Sequence, residues 1–195
     1  KALKTTTKVT DAKDLLTFLA TVDSKETRYV QYGLIGAFRG EQSASEILLL
    51  IEAAGKLKEK HQAAVFNTLA SIDAKLAIDA IKPHALGSDE EVQKSAIKAL
   101  SGSPSIFAAD ILAEACAKGS STNRILAARG VIQLVESIEG ENLLKKRAMQ
   151  RALPNVSSGA EKEKIQKALE NIHAVYNMAL GKIATASKGS KLEML

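Results

Sequence analysis

A nine-residue pattern recurs along this chain at intervals of 31 residues, and it constrains the fold more than any other feature. Val30-Gln-Tyr-Gly-Leu-Ile-Gly-Ala-Phe38, His61-Gln-Ala-Ala-Val-Phe-Asn-Thr-Leu69 and Val92-Gln-Lys-Ser-Ala-Ile-Lys-Ala-Leu100 align without gaps. Gln31, Gln62 and Gln93 occupy one register position. A looser copy, Leu126-Ala-Ala-Arg-Gly-Val-Ile-Gln-Leu134, follows after 34 residues, and a fifth ends at Ile172 after a further 38. A period of this size marks stacked supersecondary units, because one unit alone cannot cover its own apolar face.

The units are helical. Ile78, Ile81 and Ala85 share the spacing of a helix face, as do Val92, Ala96, Ala99 and Leu100, and again Ile165, Leu169 and Ile172. No run alternates strictly, and aromatics are only 4% of residues, so thin helical layers fit better than one thick core. Glycines at 40, 55, 87, 102, 119, 140 and 159 fall between periodic segments, where a helix C-terminus wants a residue that tolerates positive φ. Pro83 and Pro154 fall late in segments, and Pro104 suits a first turn. Ser43-Ala-Ser-Glu46 and Ser88-Asp-Glu-Glu91 read as capping boxes, with Ser24, Asp73, Ser103 and Ser121 as further N-caps. The expected first helices are 11–22, 44–54, 74–86, 104–118 and 141–153; the second helices are 25–39, 57–71, 89–101, 121–137 and 160–180. The small residues Ala96, Gly130 and Ala168 let a second helix lie close to its partner, while Leu69, Leu100 and Leu134 fill the seams. The fold class is all-α, and the expected architecture is a right-handed α-solenoid of about five antiparallel helix pairs.

With 195 residues, the chain is long enough to bury a sizeable core without a staple. The expected organisation is a linker or N-terminal tail over 1–10, one repeat domain over 11–186 and a flexible C-terminal tail over 187–195. An amphipathic cap over the last repeat is expected through Tyr176, Met178, Leu180 and Ile183. The first residue is Lys1, so a mature chain or an excised piece of a larger multidomain chain is expected. No apolar run approaches a membrane span. The single Cys116 lies in an apolar run and reads as a core residue. The compartment stays open between cytoplasm and periplasm.

Val92-Gln-Lys-Ser-Ala-Ile-Lys-Ala-Leu100 resembles the second helix of HEAT repeats, particularly the short HEAT-like type of phycobilisome lyases. Arg124-Ile-Leu-Ala-Ala-Arg-Gly-Val-Ile-Gln-Leu134 is similar. The resemblance covers about residues 11–180 and is best in the third repeat; His61 and Lys164 stand where the family has an aliphatic residue. It implies an armadillo-like scaffold that binds a protein on a concave face lined by second helices.

The residues do not assemble a catalytic set, and no enzyme activity, metal or cofactor is expected. His61, His84 and His173 lack ligand partners at helical spacing, and no phosphate loop, dinucleotide fingerprint or nucleophile elbow occurs. The helical-repeat hydroxylases use His-Glu pairs, whereas Gln62, Ala85 and Ala174 follow the histidines here. The candidate partner-binding row is Arg28, Tyr29, Tyr32 and Arg39, continued by Asn67, Lys94, Lys98, Arg129 and Gln133; tyrosine beside arginine is an interface composition.

A second candidate is the basic cluster Lys145, Lys146, Arg147 and Arg151. Residues 141–195 hold ten Lys/Arg against five Asp/Glu, which accounts for the whole net charge of +5. That cluster could meet phosphates, although aromatic stacking platforms are scarce. The expected function is therefore a non-catalytic scaffold for a protein or peptide. The alternatives are a nucleic-acid-associated protein and, by fold analogy, an accessory lyase-like enzyme.

Overall fold

The computed structural model describes residues 8–39 and 43–172. Residues 1–7 of the expected N-terminal tail, the expected C-terminal tail, Gly40, His173 and the terminal cap around Tyr176 lie outside the described residues.

The described chain is all-α. After a 3-10 turn at Val9–Asp11 come α1 (Ala12–Leu19), α2 (Ser24–Ala37), α3 (Ala44–Lys56), α4 (Glu59–Ala70) and α5 (Lys75–Ala85). Then follow α6 (Glu90–Ser101), α7 (Phe107–Ala115), α8 (Ser121–Ser137), α9 (Asn142–Ala152) and a 3-10 turn at Leu153–Asn155. Residues 159–172 are helical and form α10. Among the described residues, no helix is long and apolar enough to cross a membrane.

The helix contacts follow chain order. Apart from α2 and α3, each helix from α1 to α9 packs on the next, and the even-numbered helices α2, α4, α6 and α8 also pack side by side. The odd-numbered helices α3, α5, α7 and α9 do the same. Two layers result, with one apolar core between them that runs from Ala12 and Leu19 through Phe66, Ile97 and Leu112 to Met149 and Ile165. Gly130 on α8 lies close against α6 and α7. A Cβ there would meet Ser101 Oγ at 2.2 Å and Leu112 Cδ1 at 3.3 Å, so the small position of α8 is required by packing.

Side chains fix how each helix enters. Asp23 caps α2 by accepting from the amides of Lys25 and Glu26, Asp89 caps α6 from those of Glu91 and Val92, and Ser120 caps α8 from that of Asn123. These correct the expected caps Ser24, Ser88 and Ser121 by one residue each. Ser43 and Glu46 do form the expected capping box. The helix after Asp73 starts one residue later, from Ala74, and α7 starts at Phe107, so Pro104 lies ahead of it and Ser103 accepts from the Ser105 amide instead. Gly55 lies inside the last turn of α3 rather than beyond it. Pro83 sits inside the final turn of α5, and Pro154 in the 3-10 turn after α9.

One device repeats. The fourth residue of α4, α6, α8 and α9 reaches back to carbonyls at the end of the preceding helix, groups that have no partner within their own helix. Gln62 Nε2 donates to the carbonyls of Ala54 (3.0 Å) and Leu57 (3.1 Å), and Gln93 Nε2 to that of Gly87 (3.3 Å). Arg124 Nε donates to the Cys116 carbonyl (2.9 Å), and Lys145 Nζ to the Ile138 carbonyl. Gln62, Gln93 and Arg124 follow one another at intervals of 31 residues. Gln31 does not share the job: α2 starts early, Gln31 is its eighth residue, and its Oε1 accepts from Asn67 Nδ2 at 3.4 Å.

Candidate partner-binding face

The sequence-expected row lies on the even-numbered helices, and contacts join it in three pieces. On α2, Arg28 and Tyr32 are one turn apart: Arg28 Nε donates to the Tyr32 hydroxyl at 2.9 Å, and the guanidinium lies 5.5 Å from the ring centroid. Tyr32 is thereby held half-buried, whereas Tyr29 stands 63% exposed. Arg39 is exposed just past the end of α2. The second piece is Asn67 on α4, which bridges to α2 through Gln31.

The third piece is the largest. Lys98 on α6 and Arg129 and Gln133 on α8 line a shallow cavity of about 320 Å³ floored by Ile97, Leu126 and Gly130. Arg129 and Gln133 also line the neighbouring cavity of about 320 Å³, with Glu136 and, from α10, Glu161 and Lys164. Gly130 and Ser101 both line the first cavity, and a Cβ at Gly130 would meet Ser101 Oγ at 2.2 Å. Lys94, one turn before Lys98, is tied to Glu91 at 3.2 Å.

Glu161 is the residue that sequence reasoning missed. It is 6% exposed, and its Oε1 accepts from Arg129 Nε at 2.8 Å. A hydrogen bond from Ser158 and the bond from Arg129 hold its carboxyl below the usual range, against the opposing pull of burial. The signal was present: Ser158-Gly-Ala-Glu161 has the S-x-x-E spacing of a capping box at the start of α10.

The basic cluster is not an open patch. Lys145 is buried at 8% exposure with its ammonium on the Ile138 carbonyl, so it serves the end of α8. Arg147 and Arg151 both reach Asp110 on α7, at 3.5 and 3.1 Å. Lys146 is half-buried. Spacing alone placed Arg147 and Arg151 correctly on one face; the acid opposite them comes from a helix 30-odd residues upstream and was invisible to a local reading.

The titratable groups elsewhere serve packing. Cys116 is fully buried, its Sγ donates to the Leu112 carbonyl at 3.3 Å, and desolvation pushes its thiol up to about 12. His61 is buried, with Nε2 3.1 Å from the Val22 carbonyl. The His84 ring lies 4.8 Å from Phe66, and burial lowers its pKa. Among the described residues, no three His, Cys, Asp or Glu gather as a metal-holding group. No protein-family model, curated protein or solved structure matches the chain.

Proposed function

We propose that this chain is a non-catalytic binding module, a right-handed α-solenoid of about five HEAT-like helix pairs that docks a protein or peptide along its even-numbered helices. The observation that supports this reading best is the groove shared by α6, α8 and α10, where Lys98, Arg129 and Gln133 meet over an apolar floor. Such a groove offers an apolar seat with polar groups to fix register, which is how binding sites combine affinity with orientation. The side-by-side packing of α2, α4, α6 and α8 supports the layered architecture and continues the face toward Tyr29. The phosphate-binding alternative has less support, since Asp110 shares the charge of Arg147 and Arg151 and Lys145 is buried.

The test is affinity capture from the native source with wild type and with Lys98→Glu/Gln133→Ala, both exposed positions whose change leaves the core intact. A protein held by wild type and lost by the variant at unchanged thermal stability supports the reading. A protein held equally by wild type and variant removes this groove as the site, and recovery of nucleic acid alone overturns the reading.

A further inference from the structure

The large apolar side chains that remain in water are distributed unevenly between the two layers. Phe18 on α1, Leu48 on α3, Leu76 on α5, Phe107 on α7 and Leu143 on α9 are exposed at 54, 48, 42, 42 and 80%. Every odd-numbered helix from α1 to α9 carries one. Scattered exposed leucines are ordinary on a soluble protein, but aligned ones on adjacent helices are not.

Three of them are aligned. The starts of α6 and α8 lie together, since Asn123 on α8 bonds the Glu90 carbonyl on α6, and Gly130 farther along α8 lies against Ser101 at the end of α6. These helices therefore run parallel, and the short turns before them make α5 and α7 parallel too. Two sets of ion pairs then fix the level of α5, α7 and α9. Asp110, one turn past Phe107 and on the same face, is bonded to Arg147, one turn past Leu143, and to Arg151 beyond it. Glu114, seven residues past Phe107, meets Lys82 at 2.9 Å, and Lys82 is six residues past Leu76. Leu76, Phe107 and Leu143 thus stand at one level at the starts of three neighbouring helices.

Packed helices lie about 8–10 Å apart, so the row presents an apolar side chain about every 10 Å. An α-helix laid across it matches with residues seven apart, which fall on one face about 10.5 Å from each other. An extended strand does not match, because same-face residues repeat at about 6.8 Å. Charge sets the two edges of the row. On one edge Asp110 is shared by Arg147 and Arg151, and Glu114 by Lys82 and Lys118, which leaves a basic surplus. On the other edge the loops before α5 and α9 carry Asp73, Glu139 and Glu141, all exposed.

We infer that Leu76, Phe107 and Leu143 form a second docking surface, on the odd-numbered layer, for an amphipathic helix of a partner protein with apolar residues seven apart. Its acidic edge lies over Lys82, Arg147 and Arg151, and its basic edge over the loop carboxylates. This is helix-on-surface recognition by periodic apolar anchors, and it is independent of the groove on the even-numbered helices.

The experiment is selection of a displayed library of helical 21-residue peptides on the full chain. Enriched peptides are expected to carry apolar residues at a seven-residue period with carboxylates along one edge. Phe107→Ser/Leu143→Ser is expected to weaken them by at least about tenfold, while Lys98→Glu/Gln133→Ala leaves them unchanged. Both serines replace exposed side chains, and an unchanged urea midpoint confirms that the variant is folded. Enrichment without that period, or binding indifferent to the two serines, overturns the inference. Concentration-dependent self-association lost in the double variant would reassign the row to a second copy of the chain. Adhesion to phosphatidylserine vesicles without peptide binding would reassign it to a lipid surface.

Discussion

The two helix layers solve the same packing problem with different chemistry. The even-numbered helices are tied to one another by polar bonds that are buried or partly buried: Asn123 Nδ2 donates to the Glu90 carbonyl at 3.0 Å and to Gln93 Oε1 at 2.8 Å, and Asn67 reaches Gln31. The odd-numbered helices are tied by ion pairs at the surface, Lys82 to Glu114 and Arg147 and Arg151 to Asp110. Capping follows the same division with one exception each way. Asp23, Asp89 and Ser120 cap α2, α6 and α8, whereas α5, α7 and α9 have no side-chain cap. The exceptions are α3, capped by Ser43, and α4, which starts uncapped from Lys58. Buried, directional bonds fix register; exposed pairs add little energy and are easily exchanged for a partner's groups. The even-numbered helices are therefore held in register by directional polar bonds, and the odd-numbered helices are joined by exposed pairs.

The sharpest way to break this comparison is to delete the same ring from each layer. Phe66, on α4, is fully buried. Phe66→Ala should cost about 3–5 kcal/mol, enough to unfold a marginal domain. Phe107→Ala, on α7 and 42% exposed, should cost below about 1 kcal/mol in urea unfolding. Equal costs would mean that Phe107 is packed against the protein as Phe66 is. Polar ties come next. Asn123→Ala leaves Gln93 Oε1 and the Glu90 carbonyl without their shared donor and should cost about 1–3 kcal/mol. Lys82→Ala, which opens a surface pair, should cost no more than about 1 kcal/mol.

Caps sharpen it further. Asp89→Ala removes an acceptor from two amides of α6 and should cost about 1 kcal/mol. Ala74→Ser puts a hydroxyl at the extended, uncapped start of α5 and should gain up to about 1 kcal/mol. Opposite signs in thermal unfolding are the expected outcome; a loss at both positions would show that α5 is already satisfied at its start.

The helices were legible because apolar period and breakers are local signals, and nine of the expected segments are recovered to within about three residues at each end, the error that fraying helix ends allow. The level of detail that escaped is also physical. A shift of three residues turns a helix face by only about 60°, so apolar matching could not separate a 34-residue spacing from a 31-residue one. The polar role did: Arg124 does for the end of α7 what Gln93 does for α5. Caps slipped by one because each has a neighbour, Asp or Ser, that can also cap, and φ/ψ decides between them. Lys145 was misread as a surface base because its burial depends on the Ile138 carbonyl folding back over it. The exposed row on the odd-numbered helices was illegible for the opposite reason: Leu76, Phe107 and Leu143 look like core residues until the layer that could cover them is seen to be absent among the described residues.

The smallest effect tests where the even layer continues into α10. Arg129 is largely exposed and Glu161 is not, so their 2.8 Å bond joins a solvated base to a nearly buried acid. The Glu161 carboxyl is held low by Ser158 first and Arg129 second. An acid whose pKa is lower folded than unfolded adds stability that is complete above the ordinary glutamate value, near pH 4.3, and disappears as pH falls through the lowered value. Wild type should therefore exceed Arg129→Ala by a constant margin at pH 6–8, below about 1 kcal/mol because solvent screens the exposed partner. The two should converge below the lowered pKa, where the carboxyl is protonated with or without arginine. Ser158→Ala should show the same convergence with a margin at least as large, since that bond contributes most. A margin that survives into acid would assign Arg129 to packing against Ile132 and Gln133 in the groove, and the seam between α8 and α10 would then be apolar rather than polar in origin.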